Sequence, residues 1–392
     1  MKITYICNEY PPAPHGGIGT FVQTLARGLV ANDNTVSVIG WGAKAGEADD
    51  HGVRVVTLPA SRQRAFGWFI NRRRLHHWLQ EEVRAGRTDL IETPEYDGPM
   101  PFTFNACPVV VRLHLAAMTI CRQTGRRISL RQWWSENRTL RQHSNWIAVS
   151  RHALRLTTDT FRARPRKQAV IYHPVASVAP AEDGALRLPE EFVLYAGTVS
   201  RRKGAFVLAE AAREILTTHP RLHLVYAGAI ETERGVSADT GIRNVLGETF
   251  SARTHFLGHV TRSQVRDCMK RARAFAFPSS LETFGLVIAE AMLAGCPVVV
   301  CDAGPIPEFV EHLRTGLLVP TNDPCALAAS VNRLLSDPAL AATLAQAGRE
   351  SIQARFSLEA AVQQNLKFYR SCLKGDTAAV PVPSTPAMEF QS

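Results

Sequence analysis

Nowhere in the 392 residues does an apolar run approach the ~18 consecutive residues that a membrane span needs. The opening, Met1-Lys-Ile-Thr-Tyr-Ile-Cys-Asn-Glu, sets Asn8 and Glu9 inside what would be the apolar stretch of a signal peptide, so no secretory signal is expected. The 8 cysteines, at 7, 107, 121, 268, 296, 301, 325 and 372, form no Cys-x-x-Cys pair. Such scatter argues against a disulfide scaffold or a zinc site and fits reduced thiols in a cytosol. No short repeat is present. With 45% hydrophobic and 20% charged residues, the chain is neither wholly disordered nor fibrous.

What is present is length for two domains, at roughly 100–200 residues each, and an uneven positive charge. The net +10 resides almost wholly in residues 1–190, which hold 25 Lys and Arg against 16 Asp and Glu. Residues 191–392 hold 20 against 19. A basic first half suits an anionic partner: a phosphate-bearing ligand, an acidic membrane surface or nucleic acid. It is equally read as a soluble, Arg-rich surface.

Short β-branched runs alternate with helical stretches along the first half: Ile3–Cys7, Thr35–Ile39, Val53–Leu58, Asp89–Ile91, Val109–Val111 and Trp146–Val149. Prolines, glycine and acids interrupt the pattern across residues 172–191, which reads as a linker. The alternation then restarts with Phe192–Tyr195, a helix over Ala205–Leu216, and strands at Leu222–Tyr226, His255–Leu257, Ala274–Phe277 and Pro297–Val300. Strands separated by helices predict an α/β chain with parallel sheets covered on both faces. The Pro-, Thr-, Ser- and Ala-rich tail after Lys374 is expected to be mobile.

Three segments carry candidate chemistry. The loop after the first strand bears Gly16, Gly17 and Gly19 ahead of a helix, where close backbone approach and free N–H groups suit a phosphate. It lacks the dinucleotide and P-loop signatures, and a tight turn without ligand is the alternative. Arg201, Arg202 and Lys203 follow the strand at 192–195, at the sheet edge where open parallel sheets bind ligands. They suit a diphosphate, or else form a solvated basic turn. Third, Glu282 and Glu290, with seven residues between them, span a strand-to-helix turn, one on the loop and one on the helix. Both can face one crevice and accept hydrogen bonds from sugar hydroxyls, with N–H groups of Thr283, Phe284, Gly285 and Leu286 turned to a phosphate.

Taken together, these motifs resemble the family 4 retaining glycosyltransferases. The Glu-x7-Glu pair at Glu282 and Glu290 is followed by Glu-Ala-Met and Gly-Cys-Pro-Val, and preceded by Phe256-Leu-Gly-His-Val260 and the Arg-Lys-Gly turn ending at Gly204. Cys301-Asp-Ala-Gly-Pro-Ile-Pro-Glu308 and Thr315-Gly-Leu-Leu-Val319 are similar to the closing segment of that family. In the first half the Pro-Pro…Gly-Gly-Ile-Gly-Thr loop and Val111-Arg-Leu-His114 match. The resemblance runs from about residue 3 to 370 and implies the GT-B architecture, two Rossmann-like domains facing across a cleft. Residues 1–175 would bind the acceptor, with a helix at about 358–374 packing back on them. Residues 191–357 would bind the nucleotide sugar, and 375–392 would form the mobile tail.

Roles follow from the resemblance alone. Gly16 and Gly17 approach the donor phosphate and the acceptor. Arg202 and Lys203 neutralise the diphosphate leaving group. Backbone at His259 and Val260 holds the base, Glu290 the ribose, and Glu282 the transferred sugar. His114 touches the sugar or the reacting face. Many members carry Arg where this chain has Thr198, so one phosphate contact is missing or comes from Arg201. No Asp-x-Asp pair occurs, and a metal-free, cofactor-free site is expected. The retaining mechanism, with the phosphate oxygen taking the acceptor proton, is likewise implied.

Two segments mix aromatics with arginine: Phe66–Leu79, and residues 122–141 around Trp133-Trp134. They either lie on an anionic membrane face near a lipid-linked acceptor or place their rings in the core and their arginines in water. Glu92, Glu95 and Asp97 are read as three carboxylates on one loop, contacting acceptor hydroxyls or simply solvated; metal is possible in principle but would want more converging ligands. The function expected is a cytoplasmic hexosyltransferase, touching the inner membrane face, that builds a surface polysaccharide or glycolipid from a UDP- or GDP-type sugar and a saccharide or lipid-linked acceptor. A nucleotide-sugar epimerase on the same architecture is the alternative. A nucleic-acid binder, suggested by a pI near 9.4, lacks a helix-turn-helix, zinc or aromatic-stack signature.

Overall fold

The β-branched runs form two sheets, one in each of two compact units: Met1–Pro174 with the segment from Leu358 onward, and Val175–Ser357. The structure is a computed structural model that describes residues 1–13, 16–63, 66–175, 186–233 and 235–374. The expected mobile tail 375–392 and residues 176–185 of the expected linker lie outside the described residues.

The first unit runs β1 (Lys2–Ile6), α1 (Gly17–Val30), β2 (Thr35–Gly42), β3 (Gly46–Asp50), β4 (Val53–Pro59), α2 (Gly67–Arg84), β5 (Leu90–Pro94) and β6 (Val109–Leu113). It continues through α3 (Ala117–Thr124), α4 (Leu130–Gln142), β7 (Asn145–Ala148), α5 (Arg151–Phe161) and β8 (Lys167–Val170). Its eight strands lie in the order β3-β4-β2-β1-β5-β6-β7-β8. All pairs are parallel except β3 with β4, an antiparallel edge. That edge departs from the all-parallel expectation. Exposed Glu47, paired with Arg54 at 2.8 Å, gives it charge of the kind that discourages edge pairing.

The second unit runs β9 (Phe192–Ala196), α6 (Ala205–Thr218), β10 (His223–Ala227), the short β11 (Thr232–Glu233) and β12 (Val236–Ser237), α7 (Ala238–Ser251), β13 (Thr254–Gly258), α8 (Arg262–Arg271) and β14 (Ala274–Phe277). Then come α9 (Leu286–Leu293), β15 (Val298–Cys301), β16 (Leu317–Val319), α10 (Pro324–Ser336) and α11 (Pro338–Arg355). Its six-stranded sheet is parallel throughout, in the order β13-β10-β9-β14-β15-β16. Every residue of β9, β14 and β15 is buried, because helices cover both faces of a parallel sheet and leave no strand face for polar side chains.

After α11 the chain enters α12 (Leu358–Leu373), which belongs to the first unit. There Val362, Leu366, Phe368 and Tyr369 join Leu25, Leu29 and strand residues such as Tyr5 and Val110 in one apolar cluster. Each fully buried aliphatic or aromatic side chain of this kind contributes roughly 1.5–3 kcal/mol. Close approach of α1 and α12 requires Gly28, where a Cβ would meet Leu358 and Val362 at 3.0 Å.

The buried face also holds charge. Arg112, in the middle of β6, makes a bidentate pair with Glu92 of β5, both bonds 2.7 Å long. Asn365 Oδ1 accepts from Arg112 at 2.5 Å, and Tyr369 Oη donates to Glu92 at 2.5 Å and shares a hydrogen bond with Tyr5 Oη at 2.8 Å. Both charged side chains are almost wholly buried, so each needs the other. The network fastens α12 to the sheet.

Candidate active site

Each sheet reverses its strand order once, and in open parallel sheets ligands bind beyond the carboxyl ends of the strands on either side of such a reversal. Those strands are β9 and β14 in the second unit, and β1 and β5 in the first. Loops leaving them carry most of the expected site residues.

In the second unit the buried Tyr195 phenol, at the end of β9, donates to the carbonyl oxygens of Thr198 at 2.9 Å and Lys203 at 3.2 Å. The β9–α6 loop is thereby folded over its own strand. Burial raises that phenol's pKa well above the usual 10.0, so it stays a donor. Gly204 caps α6 at φ +78°, and a Cβ there would stand 2.1 Å from the Pro278 carbonyl oxygen. Only glycine permits this conformation and this approach at once. The contact brings the β9–α6 and β14–α9 loops together and places Lys203 Nζ 2.6 Å from Glu282 Oε1, both side chains largely shielded.

Arg201 and Arg202 are exposed. The Arg201 guanidinium lies 3.8 Å from the centre of the Phe206 ring, which ties it to the first turn of α6. Arg202 has no ion-pair partner among the described residues, and Thr198 is exposed beside them. The next loop is anchored by Phe284, buried against Phe309 and Phe356 at 5.2 and 5.6 Å between centroids. With that ring inside, backbone rather than side chain is what Phe284 offers outward. Gly285, at φ +90°, starts α9, and the helix has no side-chain cap. Thr283 and Leu286 flank this turn, half-buried.

Glu282 and Glu290 do not share a partner. Glu290, on α9, is ion-paired with Arg262, the first residue of α8. Arg262 follows the loop of exposed His259 and half-buried Val260, so Glu290 stands by the expected base-holding segment. A capping box fixes that turn, with Thr261 and Gln264 bonding each other's backbone. Sequence reading missed Arg262; its position just after the family-like Gly-His-Val run was the available signal.

The first unit holds Gly16 and Gly17 at the start of α1, both exposed. The Glu9 carboxylate already sits there, accepting from Gly16 N at 2.9 Å and Gly19 N at 3.3 Å. A carboxylate is a favoured occupant of a helix N-terminus, and this one was not anticipated.

His114 follows β6 and is buried, its ring 5.4 Å from both Phe21 and His173. Burial, then His173 and Arg112, hold its pKa well below 6.5, and burial with Arg112 holds His173 at about 3. Both rings are neutral at pH 7. A neutral imidazole can bond a hydroxyl without repelling a carbon that becomes positive.

Glu92, Glu95 and Asp97 do not form a solvated acceptor loop. Glu92 lies on β5 in the Arg112 pair, Asp97 pairs with Arg72 at 2.9 Å, and Glu95 is fully buried. The Glu95 carboxylate accepts from the backbone N–H of His114 at 2.7 Å and Leu115 at 2.6 Å. Buried Glu136 on α4 accepts from Ala117 N at 2.8 Å, Met118 N at 3.0 Å and Asp97 N at 3.0 Å. The two carboxylates thus hold both ends of the His114–Met118 segment, in which Leu115 is forced to φ +88°. Desolvation lifts their pKa values to about 8 and about 7. A raised carboxyl pKa means tighter proton binding in the folded state. Its stabilisation is full below the unfolded value near 4.5 and is lost as pH rises through about 8. Glu95→Gln removes the titration, so melting temperature measured from pH 5 to 9 is expected to depend less on pH than in the wild type. An unchanged slope counts against this assignment. Absolute stability drops by about 1–3 kcal/mol because an amide NH2 cannot accept the second N–H.

Residues 181–351 match the family described as Glycosyl transferases group 1, and residues 15–177 match Glycosyltransferase Family 4. The chain is 25% identical to a glycogen synthase of Mycobacterium tuberculosis over 423 aligned positions, covering 99% of each chain. An alpha-maltose-1-phosphate synthase of Mycolicibacterium smegmatis is 35% identical over 194 positions, 47% of this chain and 48% of that one. Among solved structures, a sucrose-phosphate synthase from Thermosynechococcus elongatus superposes with a TM-score of 0.77 at 25% identity, covering 95% of this chain and 99% of that one. The Anabaena protein HepE, solved in complex with UDP and glucose, has the same fold, with a TM-score of 0.66, 20% identity, and 95% and 100% coverage.

Proposed function

Because the chain belongs to the family 4 glycosyltransferases, with two parallel-sheet units of the GT-B type, we propose that it moves a hexosyl group from a nucleoside-diphosphate sugar to a saccharide or lipid-linked acceptor, with retention at the anomeric carbon. The observation that carries this reading is the Lys203–Glu282 pair at the strand-order reversal of the second sheet. It sets an ammonium suited to a diphosphate within 2.6 Å of a carboxylate suited to sugar hydroxyls.

As the bond to the diphosphate breaks, negative charge grows on the phosphate and positive charge on the anomeric carbon. Lys203 and Arg202, with the uncapped start of α9, stabilise the former as preorganised charges and dipoles. Glu282 orients the sugar, and neutral His114 is the first unit's hydrogen-bonding group for a hydroxyl. Glu290 takes the ribose hydroxyls, exchanging Arg262 for them, beside backbone at His259 and Val260. In the retaining course the acceptor attacks from the face the phosphate leaves, and a phosphate oxygen takes its proton. The cations on the β9–α6 loop support a transfer that needs no metal ion, and undiminished turnover in excess chelator is the expected result.

A thermal-shift series with UDP, GDP, ADP and dTDP identifies the donor base, since a bound nucleotide raises the melting temperature by mass action. In the Glu290→Ala variant the preferred nucleotide sugar is expected to bind roughly 10- to 100-fold more weakly, the worth of a hydrogen bond to a charged group. The same dissociation constant in both proteins removes Glu290 from the site.

A further inference from the structure

Five of the large apolar side chains left exposed among the described residues gather at the starts of α2 and α4: Leu130 (83% exposed), Phe66 (69%), Trp133 (40%), Phe69 (38%) and Trp134 (38%). The structure joins the two segments into one patch. Trp68 packs on Trp134 with centroids 5.7 Å apart, and Arg72 of α2 bonds Ser135 of α4 at 3.1 Å. On α4, Leu130 lies three and four positions before the two tryptophans, so all three fall on one side of the helix.

Charge around the patch has one sign. Residues 61–74 and 117–135 contain nine arginines and no Asp or Glu. Arg73, Arg122, Arg126, Arg127 and Arg131 are exposed and have no ion-pair partner among the described residues. Two acids in contact with these segments are already engaged: Asp97 by Arg72, and Glu136 by three backbone N–H groups.

We propose that this face docks on an anionic lipid surface. Exposed rings and a leucine amid unpaired guanidinium groups match the two layers of a bilayer boundary. The apolar tips enter the acyl margin while arginine meets lipid phosphate. Charge alone would suit any polyanion; it is the exposed Leu130 and Phe66 that favour lipid over nucleic acid. No helix of the described residues is long and apolar enough to cross a membrane, so the contact is peripheral. The proposal concerns only the first unit and does not depend on the donor or the transfer chemistry.

Co-sedimentation of the full chain with phosphatidylglycerol-containing and pure phosphatidylcholine vesicles tests it. Binding is expected to the anionic vesicles, weakening with salt, with a blue shift in tryptophan emission. Arg126→Glu combined with Arg127→Glu is expected to lower vesicle binding at least tenfold, at about 1 kcal/mol per basic residue near a charged surface. Trp133→Ser is expected to reduce both binding and the blue shift. The nucleotide-induced thermal shift, read in the same variants, reports folding and the donor site separately. No co-sedimentation at low salt overturns the proposal. Equal binding by wild type and the Arg126, Arg127 double variant does so too, as does binding to duplex DNA as tight as to vesicles. Self-association that Trp133→Ser abolishes, without vesicle binding, would assign the face to a second copy of the chain instead.

Discussion

Lys203→Ala is expected to lower the turnover number for sugar transfer by two to three orders of magnitude, roughly 2.7–4 kcal/mol of transition-state stabilisation. Charge on the departing diphosphate is greater at the transition state than in the bound donor, so the loss should fall mainly on kcat and less on the KM of the donor. Lys203 is held 2.6 Å from Glu282, within a loop folded by Tyr195 and Gly204. Its charge therefore needs little reorganisation when the donor arrives. Lys203→Arg keeps the charge but not the compact ammonium beside Glu282, and should fall between the two. Steady-state kinetics against a single donor distinguish these outcomes. A variant without the ammonium that turns over at the wild-type rate would remove Lys203 from the chemistry.

The second large effect concerns folding. Arg112→Ala is expected to destabilise the first unit by about 3–5 kcal/mol, because it leaves the buried Glu92 carboxylate without its cation, with the Tyr369 hydroxyl as its remaining donor. Combining Arg112→Met with Glu92→Leu removes both charges and should recover most of the loss. Urea denaturation of the three proteins gives the comparison, with limited proteolysis of α12 as a local readout, since Asn365 loses the Arg112 guanidinium in both variants and Tyr369 loses the Glu92 carboxylate in the double one. A loss under about 1 kcal/mol in Arg112→Ala would mean that water reaches the pair.

Much of this architecture is legible in the sequence. Runs such as Val109–Leu113 and Phe192–Ala196 are apolar at every or nearly every position because both their faces are covered, and helical stretches between them imply parallel pairing. β3 could not be read that way. Gly46-Glu-Ala-Asp-Asp50 has no β-branched residue and is a strand only because β4 offers it an edge. The short β8 and β16 carry too little pattern to stand apart from their loops. At the site, the types and spacing of Lys203, Glu282 and Glu290 were legible, but not the pairing. Glu282 finds its partner 79 residues away, and Glu290 finds a different one in Arg262. Glu95 and Glu136 were beyond reach for another reason. Along the chain Glu136 lies between Ser135 and Asn137 and looks like any exposed helical acid; only the fold turns it inward to three peptide N–H groups. The aromatics of α2 and α4 were visible singly, whereas their junction through Trp68 and Trp134 exists only in three dimensions.

The return of α12 to the first unit sets a timetable for synthesis. A ribosome completes the eight strands of that unit long before it makes Leu358–Leu373, so the growing polypeptide must carry the α1 flank and the Arg112–Glu92 pair uncovered while the whole second unit is translated. A product released at Ser357 would keep every strand yet present that flank to chaperones and proteases.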